Sequence, residues 1–266
     1  MLPREALRPF VECFWSWEGD GLASLPRLLP EPSAELVLHY GQPFRCRSSV
    51  RDYGLLPRIH LVGFRDRYYD IESSGRVGFL SARLKPTALS SLLGRSPAEW
   101  ANDFASAQDL WREGGDALEE AFLSAPDNRE RARVVEDFLE SRLAASRRPD
   151  RPWECVLAAM ARATESRECR VDRIADGLGT TVRSLQRLFR ERLGLSPKTY
   201  LRLKRFELLV TSCLPESGTG YLQHGLDLGF YDQSHIIRDF EEFLGMTPSR
   251  FLEDRGYLSL LYNTAL

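Results

Sequence analysis

Residues 179–251 spell one structural unit twice. Thr181 and Asp232, Leu185 and Ile236, Arg187 and Arg238, Phe189 and Phe240, and Gly194 and Gly245 all lie 51 residues apart. So do Ser196-Pro197 and Thr247-Pro248, and Tyr200 and Phe251. Upstream the offset is 50, linking Ala175 to Gly225, Leu178 to Leu228 and Gly179 to Gly229. A one-residue insertion in the second tight turn accounts for the slip. Self-similarity at this period means one supersecondary unit used twice. The unit reads as helix, glycine turn, helix, glycine stop, new helix.

Each part has a physical reason. Val171, Ile174, Ala175 and Leu178 follow the i, i+3, i+4, i+7 spacing of one helix face. Gly179 suits a sharp turn at positive φ, where a Cβ is costly. Thr181 is placed to cap the next helix. That helix should bury Leu185, Leu188, Phe189 and Leu193 and present Arg183, Gln186, Arg187 and Arg190 on the other side. Gly194 stops it. Ser196 caps a third helix, roughly 197–213, with Pro197 at its first position, where no N–H is needed. In the second unit Leu222, Leu226, Leu228 and Phe230 supply the apolar positions and Asp232 the cap. Its helix, running to about Leu244, turns Ile236, Phe240 and His235 inward and Gln233, Ser234, Ile237 and Arg238 outward. Gly225, inside a helix, costs about 1 kcal/mol against alanine, so a close-packed neighbour is expected there.

Charge separates the two units. Residues 180–205 hold eight basic residues against Glu191 alone, in a chain of formal net charge −2. A merely solvated face mixes signs; this one does not. Arginine can bond guanine O6 and N7 bidentately, and glutamine can bond adenine N6 and N7. Lys198, Arg202, Lys204 and Arg205 are candidate phosphate contacts, with the core side of the third helix as the alternative place for some of them, and about six neutralised phosphates would give a log–log salt slope near −5. Residues 206–266 carry three basic and nine acidic residues, with Glu241 and Glu242 just past the outward face. The second unit should therefore sit lightly on DNA, read bases with little phosphate help, or serve as a helical cap on the first.

The stretches LGTTVRSLQRLFRERLGLSPKTYLR and GFYDQSHIIRDFEEFLGMTPSRF carry a resemblance. Residues 171–252 resemble the C-terminal DNA-binding domain of the AraC/XylS family of bacterial transcription regulators. The resemblance implies two helix-turn-helix units joined by a long helix, reading successive major grooves. Carried over by position, it implies DNA contacts from Arg183, Gln186 and Arg187, and from Gln233, Ser234, Ile237 and Arg238; Arg190 and Lys198 join them as candidate DNA contacts on the strength of their charge and placement. Double-stranded DNA is the implied partner. A small-molecule effector, a second copy of the chain and RNA polymerase are further partners consistent with such a regulator.

The N-terminal half reads differently. ELVLHY (35–40), RIHLVGF (58–64), YYDIE (68–72) and VGFLSARL (77–84) are short apolar or alternating runs parted by turn residues, the pattern of an antiparallel barrel or sandwich. Helices are expected at about 87–93, 97–104, 115–124 and 128–146. The fold class is therefore α+β: a β-rich domain with flanking helices over 1–146, a polar linker at 147–152, and an all-α domain over 153–266. The first domain resembles a poorly characterised cupin-like effector or dimerisation module. Phe14, Trp15, Trp17, Tyr40, Phe64, Tyr68, Tyr69 and Phe79 could line a pocket, though aromatic residues at strand spacing more often fill a core. Arg83 should pair with Glu35 or Glu72.

Other function classes find little support. The five cysteines and four histidines show no metal-ligand spacing. Ser33, His39 and Asp70 do not form a recognisable triad, and no cofactor or metal is expected. A catalytic barrel fused to a DNA-binding domain, or an adapter that has lost DNA binding, are the rival readings. With no apolar run long enough to span a bilayer and no signal-peptide pattern, a cytoplasmic protein without membrane contact is expected.

Overall fold

The computed structural model describes residues 1–19, 27–93, 96–144, 151–165, 170–212 and 221–253. Its N-terminal half holds eight strands among the described residues: β1 Val11–Gly19, β2 Ala34–His39, β3 Arg45–Arg47, β4 Asp52–Leu55, β5 Ile59–Val62, β6 Asp70–Glu72, β7 Val77–Leu84 and β8 Phe104–Ser106. They form a five-stranded sheet, β1-β7-β2-β5-β8, and a three-stranded one, β4-β3-β6. Every pairing is antiparallel. The result is the sandwich form of the expected β-rich domain.

β2, β5 and β7 are buried along their whole length, because the larger sheet is covered on both faces. Ala34, Leu36, Leu38, Leu80, Ala82 and Leu84 point toward the helices, while Val37, Val62, Val77 and Phe79 meet Cys46 and Ile71 of the smaller sheet. Strands covered on both sides read as continuous apolar runs, and these were the legible ones. β1, β3, β4 and β8 were not anticipated. β3 and β4 are three and four residues long, and β1 is only patchily buried. The helix expected at 97–104 is a single 3-10 turn, Pro97–Trp100, capped by Ser96. Asn102 at φ 59° ends it, and β8 takes the remainder.

The helices flanking the sandwich are α1 Ala88–Leu93, α2 Ala107–Trp111, α3 Glu113–Ser124 and α4 Asn128–Ala144. The C-terminal half contains α5 Arg151–Glu165, α6 Val171–Gly177, α7 Val182–Leu193, α8 Pro197–Ser212, α9 Tyr221–Asp227, α10 Gln233–Leu244 and α11 Pro248–Glu253. Most of the expected linker at 147–152 lies outside the described residues; Arg151 and Pro152 already belong to α5. Among the described residues no helix is long and apolar enough to cross a membrane.

The space between the sheets is polar at one end. Glu35 and Arg83 stand opposite each other in register, so their side chains share a face. Arg83 Nη2 lies 3.3 Å from Glu35 and its Nε 3.2 Å from Glu31. Arg65 reaches Glu31 at 3.0 Å, and Ser81 Oγ donates to Glu35 at 3.1 Å. The expected Arg83–Glu35 pair is present, with Glu31 as an unforeseen second partner; Glu72 instead neighbours Arg47. The aromatic candidates divide. Trp15, Trp17, Tyr69 and Phe79 adjoin the inter-sheet core, whereas Phe14, Phe64 and Tyr40 belong to the helix side.

His39 and His60 lie at the apolar end, stacked with centroids 5.5 Å apart. Burial drives the His60 pKa down to about 4, against a hydrogen bond of its Nδ1 with Pro57 O that favours the charged form. Burial, followed by the His60 neighbour, holds His39 well below the usual imidazole range. A group whose folded pKa is depressed contributes stability above its unfolded pKa and loses it as pH falls. The His60 contribution should therefore be complete above about pH 6.5 and fade toward pH 4, a loss of about 3 kcal/mol. Urea unfolding of wild type and His60→Gln across this range checks it: the variant should show a visibly shallower decline.

Candidate nucleic-acid interface

The two repeats share their punctuation. Gly179 turns at φ 63° and Gly229 at φ 83°. Thr180 N donates to Ala175 O at 3.0 Å, and Phe230 N to Gly225 O at 2.9 Å. Thr181 Oγ1 then accepts from Ser184 N at 3.1 Å, and the Asp232 carboxylate from His235 N at 2.8 Å. Gly194 and Gly245 end α7 and α10 in the left-handed region, at φ 70° and 66°. Ser196 and Thr247 cap the helices that follow. Thr180 aligns with Phe230 and Thr181 with Asp232, so the inserted residue is Tyr231. Gly225 has its packing reason: an added Cβ would lie 2.3 Å from Ile236 Cδ1. The first unit combines Ala175 with Leu185 there; the β-branched Ile236 takes the extra room.

Leu185, Phe189 and Leu193 are buried and Leu188 is half-buried. Arg183, Gln186, Arg187 and Arg190 share the open face of α7, and Lys198 is exposed in the first turn of α8. Arg187 is 73% exposed and reaches Glu191 at 3.2 Å, one turn on. On α10, Gln233, Ser234 and Arg238 are exposed and Ile237 is half-buried. Gln233 Nε2 donates to Tyr221 OH at 3.0 Å. Leu226, expected inward, is exposed because it falls on the outer side of α9. His235 is half-buried, edge-on to Phe230 and facing Arg205.

Three further basic residues of α8 do something else. Arg202 donates to Glu242 at 3.1 and 2.7 Å and to Asp239 at 2.7 Å. Arg205 donates to Gly229 O at 3.3 Å and lies over the Phe230 ring. Lys204 pairs with Glu207 at 2.9 Å. These contacts pin α8 to the second unit or to itself, so Arg202, Lys204 and Arg205 are not the open phosphate arms that sequence reasoning proposed. Glu242, just past the outward face, neutralises Arg202. The acidity of the second unit is partly internal structure, which a charge count cannot reveal.

The N-terminal half grips both α7 and α10 at the same repeat position. Ser96 Oγ donates to Glu191 O at 2.6 Å in the last turn of α7, and a Cβ on Gly194 would meet Ala101 at 2.6 Å. Arg27 Nη1 donates to Leu244 O at 2.7 Å in the last turn of α10, and a Cβ on Gly245 would meet Tyr68 at 2.6 Å. Arg27 lies over the Tyr68 ring and pairs with Asp70. Ser33 is bonded to Glu31, and the His39 ring nitrogens have no hydrogen-bond partner among the described residues. Ser33 and Asp70 are thus engaged elsewhere, and neither is bonded to His39.

A family model described as "Helix-turn-helix domain", of the AraC type, matches residues 174–254. The chain carries an AraC-type helix-turn-helix domain. A second model, "Domain of unknown function (DUF6597)", matches residues 1–106. Among solved structures, an apo form of ToxT from Vibrio cholerae is 12% identical, with a TM-score of 0.51 over 90% of this chain and 97% of that one. ToxT bound to an unsaturated fatty acid is 10% identical, with a TM-score of 0.51 over 91% and 95%. ToxT bound to (E)-4-(8-methylnaphthalen-1-yl)but-3-enoic acid is 12% identical, with a TM-score of 0.51 over 94% and 100%. At these identities the likeness is one of fold, and it extends over both halves. No curated protein matches the sequence. The AraC-type domain makes the chain a DNA-binding transcription regulator.

Removing Arg202 would leave the Asp239 carboxylate, 2% exposed, with only the more distant Arg205. Arg202→Ala should cost about 3 kcal/mol, whereas Glu242→Gln, at the exposed end, should cost under about 1 kcal/mol. Denaturant midpoints of the two variants check the ordering.

Proposed function

We propose that the chain is a sequence-specific regulator whose α7 reads one major groove through Arg183, Gln186 and Arg187. Arg190 and Lys198 hold the adjoining phosphates. The helix α10 reads the next groove through Gln233, Ser234, Ile237 and Arg238, about one helical turn of duplex away. The observation that carries this reading is the open face of α7. In the full chain the N-terminal half contacts the end of that helix and leaves its guanidinium and amide groups facing solvent. Arginine and glutamine so presented match the donor–acceptor pattern of guanine and adenine.

The N-terminal half is proposed as the regulatory part. Two observations support a small-molecule effector. ToxT, which shares the fold, is held with an unsaturated fatty acid and with a naphthalenyl butenoic acid. The inter-sheet core here also contains polar atoms without hydrogen-bond partners among the described residues, both His39 nitrogens, beside Phe44 and Phe79. Dimerisation has a candidate surface in an open groove of about 450 Å³ between α3 and α4, lined by Leu118, Ala121, Val134 and Phe138 together with Asp137, Ser141 and Arg142.

With Arg202, Lys204 and Arg205 engaged internally, about three phosphates are neutralised rather than six, and the salt slope should be about −2.7. A fluorescent-duplex titration across salt concentrations measures it; a slope near zero, or no binding at low salt, would favour the adapter reading. Arg183→Ala and Arg187→Ala should each cost about 1–3 kcal/mol and relax preference at particular base pairs. Arg238→Ala should cost less than Arg187→Ala in the same assay, because α10 lies in the more acidic unit.

A further inference from the structure

We propose that Tyr231 is an uncharged anchor of the second unit on the DNA backbone, its hydroxyl donating to a phosphate oxygen and its ring packing on the adjoining sugar. This rests on the DNA-binding reading above and adds a residue that reading does not use.

Tyr231 is the insertion that makes the second turn one residue longer than the first. It is 88% exposed, the most exposed of the large hydrophobic side chains among the described residues. Its hydroxyl makes no hydrogen bond to any described residue. An exposed aromatic side chain on a wandering loop would mean little, but this one is held on a fixed backbone. Phe230 before it is 3% exposed and bonded through its N–H to Gly225 O. Asp232 after it caps α10, and the Tyr231 N–H itself points at His235 Nδ1, 3.5 Å away. The ring is therefore presented at the N-terminal end of α10, the end that faces base edges and flanking backbone in a helix-turn-helix.

The charge distribution explains why a tyrosine would serve there. The described part of the second unit, 221–253, has only Arg238 and Arg250 as cations, against Asp227, Asp232, Asp239, Glu241, Glu242 and Glu253. A lysine beside the Asp232 carboxylate would be largely neutralised by it. A phenol donates to phosphate without charge, and tyrosine is among the side chains that make such contacts. The first unit passes from Thr180 directly to Thr181 and has no residue at this place. It relies on arginines, so the two units would hold DNA by different chemistry.

The test uses the full chain and a duplex of about 30 base pairs, selected from a random pool by the wild-type protein, titrated at several KCl concentrations. Tyr231→Ala should weaken binding about tenfold, the worth of one hydrogen bond to a charged group, with the salt slope unchanged. The loss should be equal on selected and scrambled duplexes. Tyr231→Phe should fall between wild type and Tyr231→Ala. Thermal melting of both variants at the wild-type temperature shows that the fold is kept, as expected for so exposed a side chain. Wild-type affinity in Tyr231→Ala overturns the anchor while DNA binding stands. A loss confined to the selected duplex makes Tyr231 a base reader and also overturns it. Failure of the wild-type chain to retain any duplex overturns the DNA-binding reading itself, and the anchor with it.

Discussion

Two glycines in the left-handed region organise the molecule. Gly194 and Gly245 end α7 and α10 at the same point of the repeat. Both leave the space into which the N-terminal half presses, with Ala101 on one side and Tyr68 on the other. A side chain at either position would be strained in φ and would also collide with the opposing surface. One backbone feature thus stops the helix and admits its neighbour. The docking consequently falls at helix ends and not on the faces that carry Arg183, Gln186 and Arg187.

Charge is sorted by the same geometry. On α7 Arg183, Arg187 and Arg190 project away from the packed side and are exposed. On α8 Lys198 stays exposed in the first turn, but the later cations turn back into the protein, where Arg202 joins Asp239 and Glu242 and Arg205 reaches Gly229 O. An arginine suits such a junction because its planar fork satisfies two acceptors at once. The two units are therefore held together by ionic contacts as well as by the aromatic packing of Phe206 on Phe240 and Phe243.

The duplicated unit was legible because its determinants are local. A cap hydroxyl, a glycine at positive φ and a 3.6-residue period leave signatures within a dozen residues, and the caps at Thr181, Asp232, Ser196 and Thr247 stand where those signatures put them. The outward placement of the candidate readers was legible for the same reason, with Ile237 only half exposed. What was not legible depends on distant partners. The fate of Arg202 is decided by residues 37 and 40 positions away, and composition can count its charge but not its neighbour. The short strands β3, β4 and β8 exist by pairing across the sandwich and have no internal pattern to betray them. Arg27, which fastens the second reading helix, sits 217 residues before the carbonyl it holds, beyond any motif.

The contacts at Leu244 and Glu191 both come from the sandwich half: Arg27 and Tyr68 flank the smaller sheet, and Ser96 precedes the turn beside the larger. A change of shape between those sheets would not be felt as a general loosening. It would alter the span between two grips, and so the length of duplex that the paired readers can straddle together. Selectivity for operator spacing, rather than bare affinity, is the quantity such a lever would move.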